Sequence, residues 1–198
     1  MDLNSEFSIT GEYYLESVHE MASGFKLNTD KTFEFFFSYG ALDRFADGIW
    51  NLVGNKVTFN SAKWPGSDFR MTKSELNGSR KIIIELNETN NALFPHIYAS
   101  LDQGRQDSWR NFDSHGRLVF EKHEFKFISL AFEFCPERFT SIPVNGEMHN
   151  YFRFKPEPWL FKYYFDNFVL SCNNEGFIGK HPLLDDKDYF YSKTVNRC

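Results

Sequence analysis

Large aromatic rings recur two residues apart in this chain, and that spacing restricts its possible folds more than any other feature. Phenylalanine fills 24 of 198 positions, and Phe33, Phe35 and Phe37 share one parity of a run bounded by Asp30-Lys31 and Tyr39-Gly40. Successive side chains of a strand point to opposite faces, so a period of two lines these rings along one face of a sheet; a helix would spread them around its circumference. Glu34, Phe36 and Ser38 take the other face, and the ring among them implies cover on both sides. The consecutive Ile82, Ile83 and Ile84 carry the same implication.

Strand-like runs follow one another along the chain. The first third reads as a meander, with strands near residues 9–18, 23–28, 32–38, 48–53 and 56–60 joined by turn formers such as Thr29-Asp30-Lys31 and Gly54-Asn55. A hairpin is expected over 68–75 and 81–86, across Leu76-Asn77-Gly78-Ser79. The polar turn formers Asn87-Glu88-Thr89-Asn90-Asn91 then place a domain boundary, separating a meander over residues 1–88 from a second β unit over 89–198. Later strands fall near 95–101, 107–112, 117–121, 125–134, 150–155, 159–164, 167–172 and 188–193. The segment 136–149, with Pro136, Pro143 and Gly146, is the longest expected loop, and Ala41 to Ala46 is the place for a short helical turn. The expected fold class is all-β. At this length the chain forms one large domain or two small ones, and folding hides roughly 70% of the surface an unfolded chain exposes, enough for a core without disulfides.

Charge narrows the function classes. The formal charge is −5, and residues 1–88 hold 13 acidic against 9 basic side chains, whereas residues 89–198 hold 14 against 13. Phosphate-backbone binding rests on clustered Lys and Arg; the longest basic cluster here is Arg80-Lys81, which disfavours nucleic acid as a partner. Cys135, Cys172 and Cys198 are odd in number and widely spaced, unlike a disulfide framework or a zinc site. The opening Met-Asp-Leu-Asn-Ser-Glu lacks the basic end and apolar run of a signal peptide, so a cytoplasmic protein with reduced thiols is expected if Met1 is the native start. If a leader has been removed, Asn77-Gly78-Ser79 and Asn87-Glu88-Thr89 match glycosylation sequons. No apolar run approaches the length of a membrane span.

Two resemblances organise these segments. Gly11-Glu12-Tyr13-Tyr14, Phe25-Lys26-Leu27, Asp30-Lys31-Thr32-Phe33, Gly48-Ile49-Trp50 and Val57-Thr58-Phe59 fall in one order over residues 9–60. This order resembles the lipocalin-like calycins, up-and-down β-barrels with a Gly-x-Tyr opening strand and a Gly-x-Trp strand. Here Gly-x-Trp comes fourth, closer to the smaller bacterial pattern, which weakens the case for a deep carrier cavity. In the second half, Ala99-Ser100-Leu101-Asp102-Gln103-Gly104 leads to Asn111-Phe112-Asp113-Ser114-His115-Gly116-Arg117-Leu118-Val119-Phe120. This resembles the Asp-x-x-Gly turn of carboxypeptidase-regulatory-like and related Ig-type sandwiches over residues 99–134. Together they imply a lipocalin-like antiparallel meander or barrel followed by a small β-sandwich, with no catalytic residues to carry over.

The chain carries little recognisable catalytic chemistry. There is no Gly-x-Ser-x-Gly elbow, and Cys135, between an apolar strand and Pro136, reads as a buried or loop-edge thiol. The histidines His19, His96, His115, His123, His149 and His181 scatter mainly at expected turns, without metal-ligand spacing. Asp185-Asp186-Lys187-Asp188 lacks the glycine and bidentate Glu of a calcium loop. Glu34, Asp43 and Asp47 flank a loop and need no catalytic role. No metal or cofactor is expected.

The aromatic surplus remains. Trp159, Phe161, Tyr163, Tyr164 and Phe165 form a dense late run, read either as core between packed sheets or as interface anchors. Tyr39 to Gly48 reads either as a long functional loop or as a barrel-closing turn. The leading expectation is a non-enzymatic bacterial protein-binding module, with an immunity or inhibitory role toward a cognate toxin as its most specific form. Its contacts are expected at Tyr39, Asp43, Arg44, Asp47, Trp159, Tyr163 and Tyr164, the aspartates steering a basic partner. The alternative is a carrier of a small apolar ligand, its cavity lined by Phe33, Phe35, Phe37, Trp50 and Phe59.

Overall fold

The computed structural model describes residues 9–40 and 42–194. Its strands are β1 (Gly11–Leu15), β2 (Met21–Leu27), β3 (Thr32–Tyr39), β4 (Leu42–Val53), β5 (Lys56–Asn60), β6 (Phe69–Glu75), β7 (Ile82–Leu86), β8 (Ile97–Ser100), β9 (Arg110–Asn111), β10 (Arg117–Phe120), β11 (Phe127–Phe132), β12 (Phe139–Pro143), β13 (Tyr151–Pro156), β14 (Phe168–Cys172), β15 (Gly176–Lys180) and β16 (Asp188–Lys193). Two short 3-10 turns, Asn91–His96 and Gln106–Ser108, complete the regular structure among the described residues.

The chain is all-β, but its two units are not divided at residue 88. One unit comprises residues 1–63 and 162–198, and the other residues 64–161. In the first, β1 to β5 form the expected meander and β14, β15 and β16 complete it into a closed barrel, with β14 on β5 and β16 on β1. Every neighbouring pair is antiparallel, so the eight strands run up and down around the ring. The expected boundary after residue 88 falls inside the second unit, between β7 and the 3-10 turn Asn91–His96. A soft polar linker marks a loop, and here the loop joins two elements of one sandwich.

Local expectations fail where side-chain period was overridden by pairing. Ala41 to Ala46 is not helical: β3 and β4 are paired out to Tyr39 and Leu42, leaving only residues 40 and 41 between them. Gly40 carries φ +59, the left-handed conformation that so tight a connection demands. The ten-residue loop from Tyr39 to Gly48 is therefore strand for most of its length. The expected strand over 159–164 is absent; only an isolated bridge from Lys162 to Phe45 survives there. The long loop over 136–149 contains β12, and the expected hairpin of 68–75 with 81–86 does not form, because β13 inserts between β6 and β7 and pairs with both.

Alternation builds the barrel core. Phe33, Phe35 and Phe37 are buried on one face of β3, and Ala46, Trp50 and Leu52 on the matching face of β4. Phe25, Leu27, Val57, Phe59, Leu170, Phe177 and Tyr191 close the cluster from the other strands. An eight-stranded barrel is just wide enough for side chains to fill it. The sandwich unit stacks the sheets β10-β7-β13-β6 and β12-β11-β8-β9 over a second core, where Ile82, Ile84, Phe152 and Phe154 meet Ile97, Ile128, Leu130 and Phe132. Ile83 is buried as well, as the three consecutive isoleucines implied.

Candidate functional site

The barrel interior is packed ring on ring. Phe25 and Phe59 lie 4.7 Å apart between centroids, Phe33 and Phe59 5.0 Å, and Tyr13 stacks on Phe177 at 3.8 Å. Phe165, on the segment leading into β14, inserts among Phe33 and Phe35 at 5.5 and 5.2 Å. Thus Phe33, Phe35, Phe37, Trp50 and Phe59 are all buried, and Phe33, Phe35 and Phe59 contact other rings of the core. Trp50 donates its indole N–H to the Asn28 carbonyl at 3.1 Å.

One polar group sits within this aromatic interior. His181, just after β15, packs against Phe35, Phe37, Tyr189 and Tyr191. The Leu183 N–H donates to its Nδ1 at 3.0 Å, so the ring's proton resides on Nε2, which reaches the Ser23 hydroxyl at 3.0 Å. The Ser23 hydroxyl in turn donates to the Phe36 carbonyl at 2.8 Å. Every donor in this chain has an acceptor only while the imidazole is neutral, and burial pushes its pKa down from 6.5 to about 4. The Tyr191 hydroxyl, also buried, has no hydrogen-bond partner among the described residues, and desolvation raises its pKa.

The outward side of β1 to β4 is different in kind. Strand register sets Tyr14, Gly24, Phe36 and Phe45 side by side across the four strands. Tyr14 is 44% exposed, Phe36 38% and Phe45 44%. Gly24 makes this row possible: a Cβ there would lie 2.4 Å from the Tyr13 carbonyl oxygen and 2.9 Å from the Phe36 ring, which leans across the bare backbone. Two residues along the strands, Glu12, Lys26, Glu34 and Asp47 form a parallel charged row. Lys26 pairs with Glu34 at 3.4 Å and Lys162 with Asp47. Tyr14 donates to Glu12 at 3.0 Å, a bond that raises the phenol's pKa. Exposed rings beside oriented charges are the ingredients of a protein contact surface.

The residues expected from sequence to make contacts divide among several places. Tyr39, Asp43 and Asp47 are exposed on β3 and β4, as a surface role requires. Arg44 is not: it points inward, 2% exposed, with its guanidinium 5.6 Å from the Tyr163 ring. Once residues 42–53 form a strand, alternation turns Arg44 to the core side. Tyr163 is half-buried against the barrel core, and half-buried Tyr164 lies 5.7 Å from the Lys162 ammonium. Trp159 belongs to the sandwich unit, where its indole donates to the Ser67 carbonyl at 2.9 Å. The late aromatic run is thus split between two units. The sequence gives no surface role to Tyr14 or Phe45: Phe45 falls in a segment that reads as a loop, so its outward parity shows only once residues 42–53 form one strand.

Elsewhere, Cys135 is buried and donates its thiol to the Leu160 carbonyl at 3.0 Å, while Cys172 is half-buried; Cys198 lies outside the described residues. Among the described residues, no three His, Cys, Asp or Glu side chains converge as metal ligands, and no helix is long and apolar enough to cross a membrane. In comparisons with known proteins, no family model, no curated protein and no solved structure matches the chain.

Proposed function

We propose that this protein is a non-enzymatic binding module that meets another protein through the outward face of β1 to β4. The observation that carries the reading is the exposed row of Tyr14, Phe36 and Phe45 beside the charged row Glu12, Lys26, Glu34 and Asp47. The few residues that dominate binding energy in protein interfaces are enriched in aromatic side chains that a partner desolvates, and adjacent charges orient the encounter. In its most specific form, the module is an immunity or inhibitory protein of a bacterial cytoplasm, covering the surface of a cognate toxin. The carrier alternative, a lipocalin-like barrel, asks for space among Phe33, Phe35 and Phe59; ring-to-ring contact there favours the protein partner.

Affinity capture from the native host, repeated with Phe36→Ser combined with Phe45→Ser, tests the reading. Capture of a specific protein should fall at least about tenfold in the variant, with an unchanged unfolding midpoint. Equal capture by both proteins overturns the assigned face, and a lipid or pigment co-purifying with the chain favours the carrier.

A further inference from the structure

Phe45, Asp47 and Ile49 stand at alternate positions on the outward side of β4, all three exposed. Two shallow grooves meet beneath them. One of about 450 Å³ is lined by Tyr14, Phe36 and Phe45, and one of about 570 Å³ by Thr32, Ile49 and Asn60. Glu34 and Asp47 belong to both grooves and form the saddle between them. They are also direct cross-strand partners, an arrangement in which like charges oppose sheet pairing. Each leans on one lysine, Lys26 or Lys162. A carboxylate accepts about four hydrogen bonds, so both keep acceptor capacity.

Building on the protein-binding reading above, we infer that the partner presents an extended cationic segment of the pattern apolar-x-Arg-x-apolar. Its guanidinium meets the Glu34–Asp47 pair, and its flanking apolar side chains enter the two grooves. Alternate side chains of an extended segment lie roughly 6.6–6.8 Å apart, the same pitch at which β4 presents Phe45, Asp47 and Ile49. Arginine fits two neighbouring carboxylates better than lysine because its planar fork donates in two directions. Charge also argues against a second copy as occupant. A symmetric contact through this face would bring together two copies of a patch that holds Glu12, Glu34, Asp43 and Asp47 against Lys26 and Lys162, a surplus of like charge on both sides.

The probe is the peptide acetyl-Phe-Ser-Arg-Ser-Phe-amide, titrated into the full chain while backbone amide chemical shifts are followed. Shifts should concentrate at Glu34, Phe36, Phe45, Asp47 and Ile49. Glu in place of the peptide's Arg, or Glu34→Gln with Asp47→Asn in the protein, should weaken binding at least about tenfold. Should that double variant fold poorly, Lys26→Gln supplies an independent readout: freeing Glu34 of its intramolecular cation should tighten binding about threefold. Equal binding of the Glu peptide at the same amides overturns the cationic partner while leaving the docking face standing. Shifts confined to other parts of the chain, or no binding of the Arg peptide, overturn the inference. Movement of the same amides with protein concentration alone identifies a second copy as the occupant and overturns it as well.

Discussion

Inside the barrel, His181 is held neutral in a relay from the Leu183 N–H through the imidazole and Ser23 to the Phe36 carbonyl. In the sandwich, by contrast, Asp68 and Arg138 are buried as ions, 2.6 Å apart, with side chains 4% and 8% exposed. The sandwich pair is surrounded by further donors and acceptors. Trp64 donates to Asp68 at 3.0 Å, Thr140 accepts the Asp68 N–H at 2.7 Å, and Arg138 also donates to the Leu160 carbonyl at 3.1 Å. A neutral relay avoids the desolvation of charge but depends on one protonation state. A buried ion pair carries a large desolvation cost, yet each partner makes the other tolerable. The two units have solved the same problem, polar groups among aromatic rings, with opposite vulnerabilities: one to acid, the other to loss of a partner.

The largest effect should come from breaking the ion pair. Asp68→Ala takes the most deeply buried carboxylate from Arg138, which still pairs with the more exposed Glu137 at 2.8 Å, and removes the acceptor of the Trp64 indole N–H; it should cost the sandwich about 3–5 kcal/mol. The tryptophans allow this to be localised, since Trp50 lies in the barrel and Trp64, Trp109 and Trp159 lie in the sandwich. Denaturation of single-tryptophan variants should show the loss in the sandwich signals; a loss below about 1 kcal/mol would remove the contrast with the barrel.

Acid should expose the barrel's weakness next. The folded pKa of His181 is depressed from 6.5 to about 4, so the unfolded chain binds the extra proton first as pH falls. The stability tied to the neutral ring is fully present above pH 6.5 and is lost progressively down to about pH 4. That loss amounts to roughly 3 kcal/mol. His181→Gln preserves one donor and one acceptor without titrating, and the difference between its stability curve and that of the native protein isolates the histidine. Parallel curves for the two proteins across this window would show that the ring is not buried as a neutral donor.

The smallest effect concerns Tyr191, whose buried hydroxyl lacks a partner among the described residues. Removing an unsatisfied polar atom relieves its desolvation, so Tyr191→Phe should leave the barrel unchanged or stabilise it by about 1 kcal/mol. A destabilisation beyond about 1 kcal/mol would mean that the hydroxyl is bonded, and the barrel's polar relay would then extend beyond Ser23.

The parts of this picture that were legible in the chain are those carried by short-range order. The alternation of Phe33, Phe35 and Phe37 identified the core face of β3, and Gly54-Asn55 marked the turn between β4 and β5. The candidate face was only half legible. The sequence marks Asp43 and Asp47 as surface residues, but within a loop and together with Arg44, which alternation along a twelve-residue β4 turns inward. Phe36 was recognised as facing away from the core and read as covered, whereas it is one of the exposed rings.

By itself, then, the sequence determined the β character of the chain and, within β3, which side of the strand would face a core. The reason is that side-chain alternation is a property of consecutive residues. Only tertiary structure decided that Phe59 would pair with Phe168, so that three strands near the C-terminal end close a barrel begun near the other end. Hydrogen bonding between strands is carried by backbone groups that every residue possesses, so nothing in either segment names its distant partner. The same holds for the row of Tyr14, Gly24, Phe36 and Phe45. Each residue is ordinary in its own strand, and only the register of four strands sets them side by side.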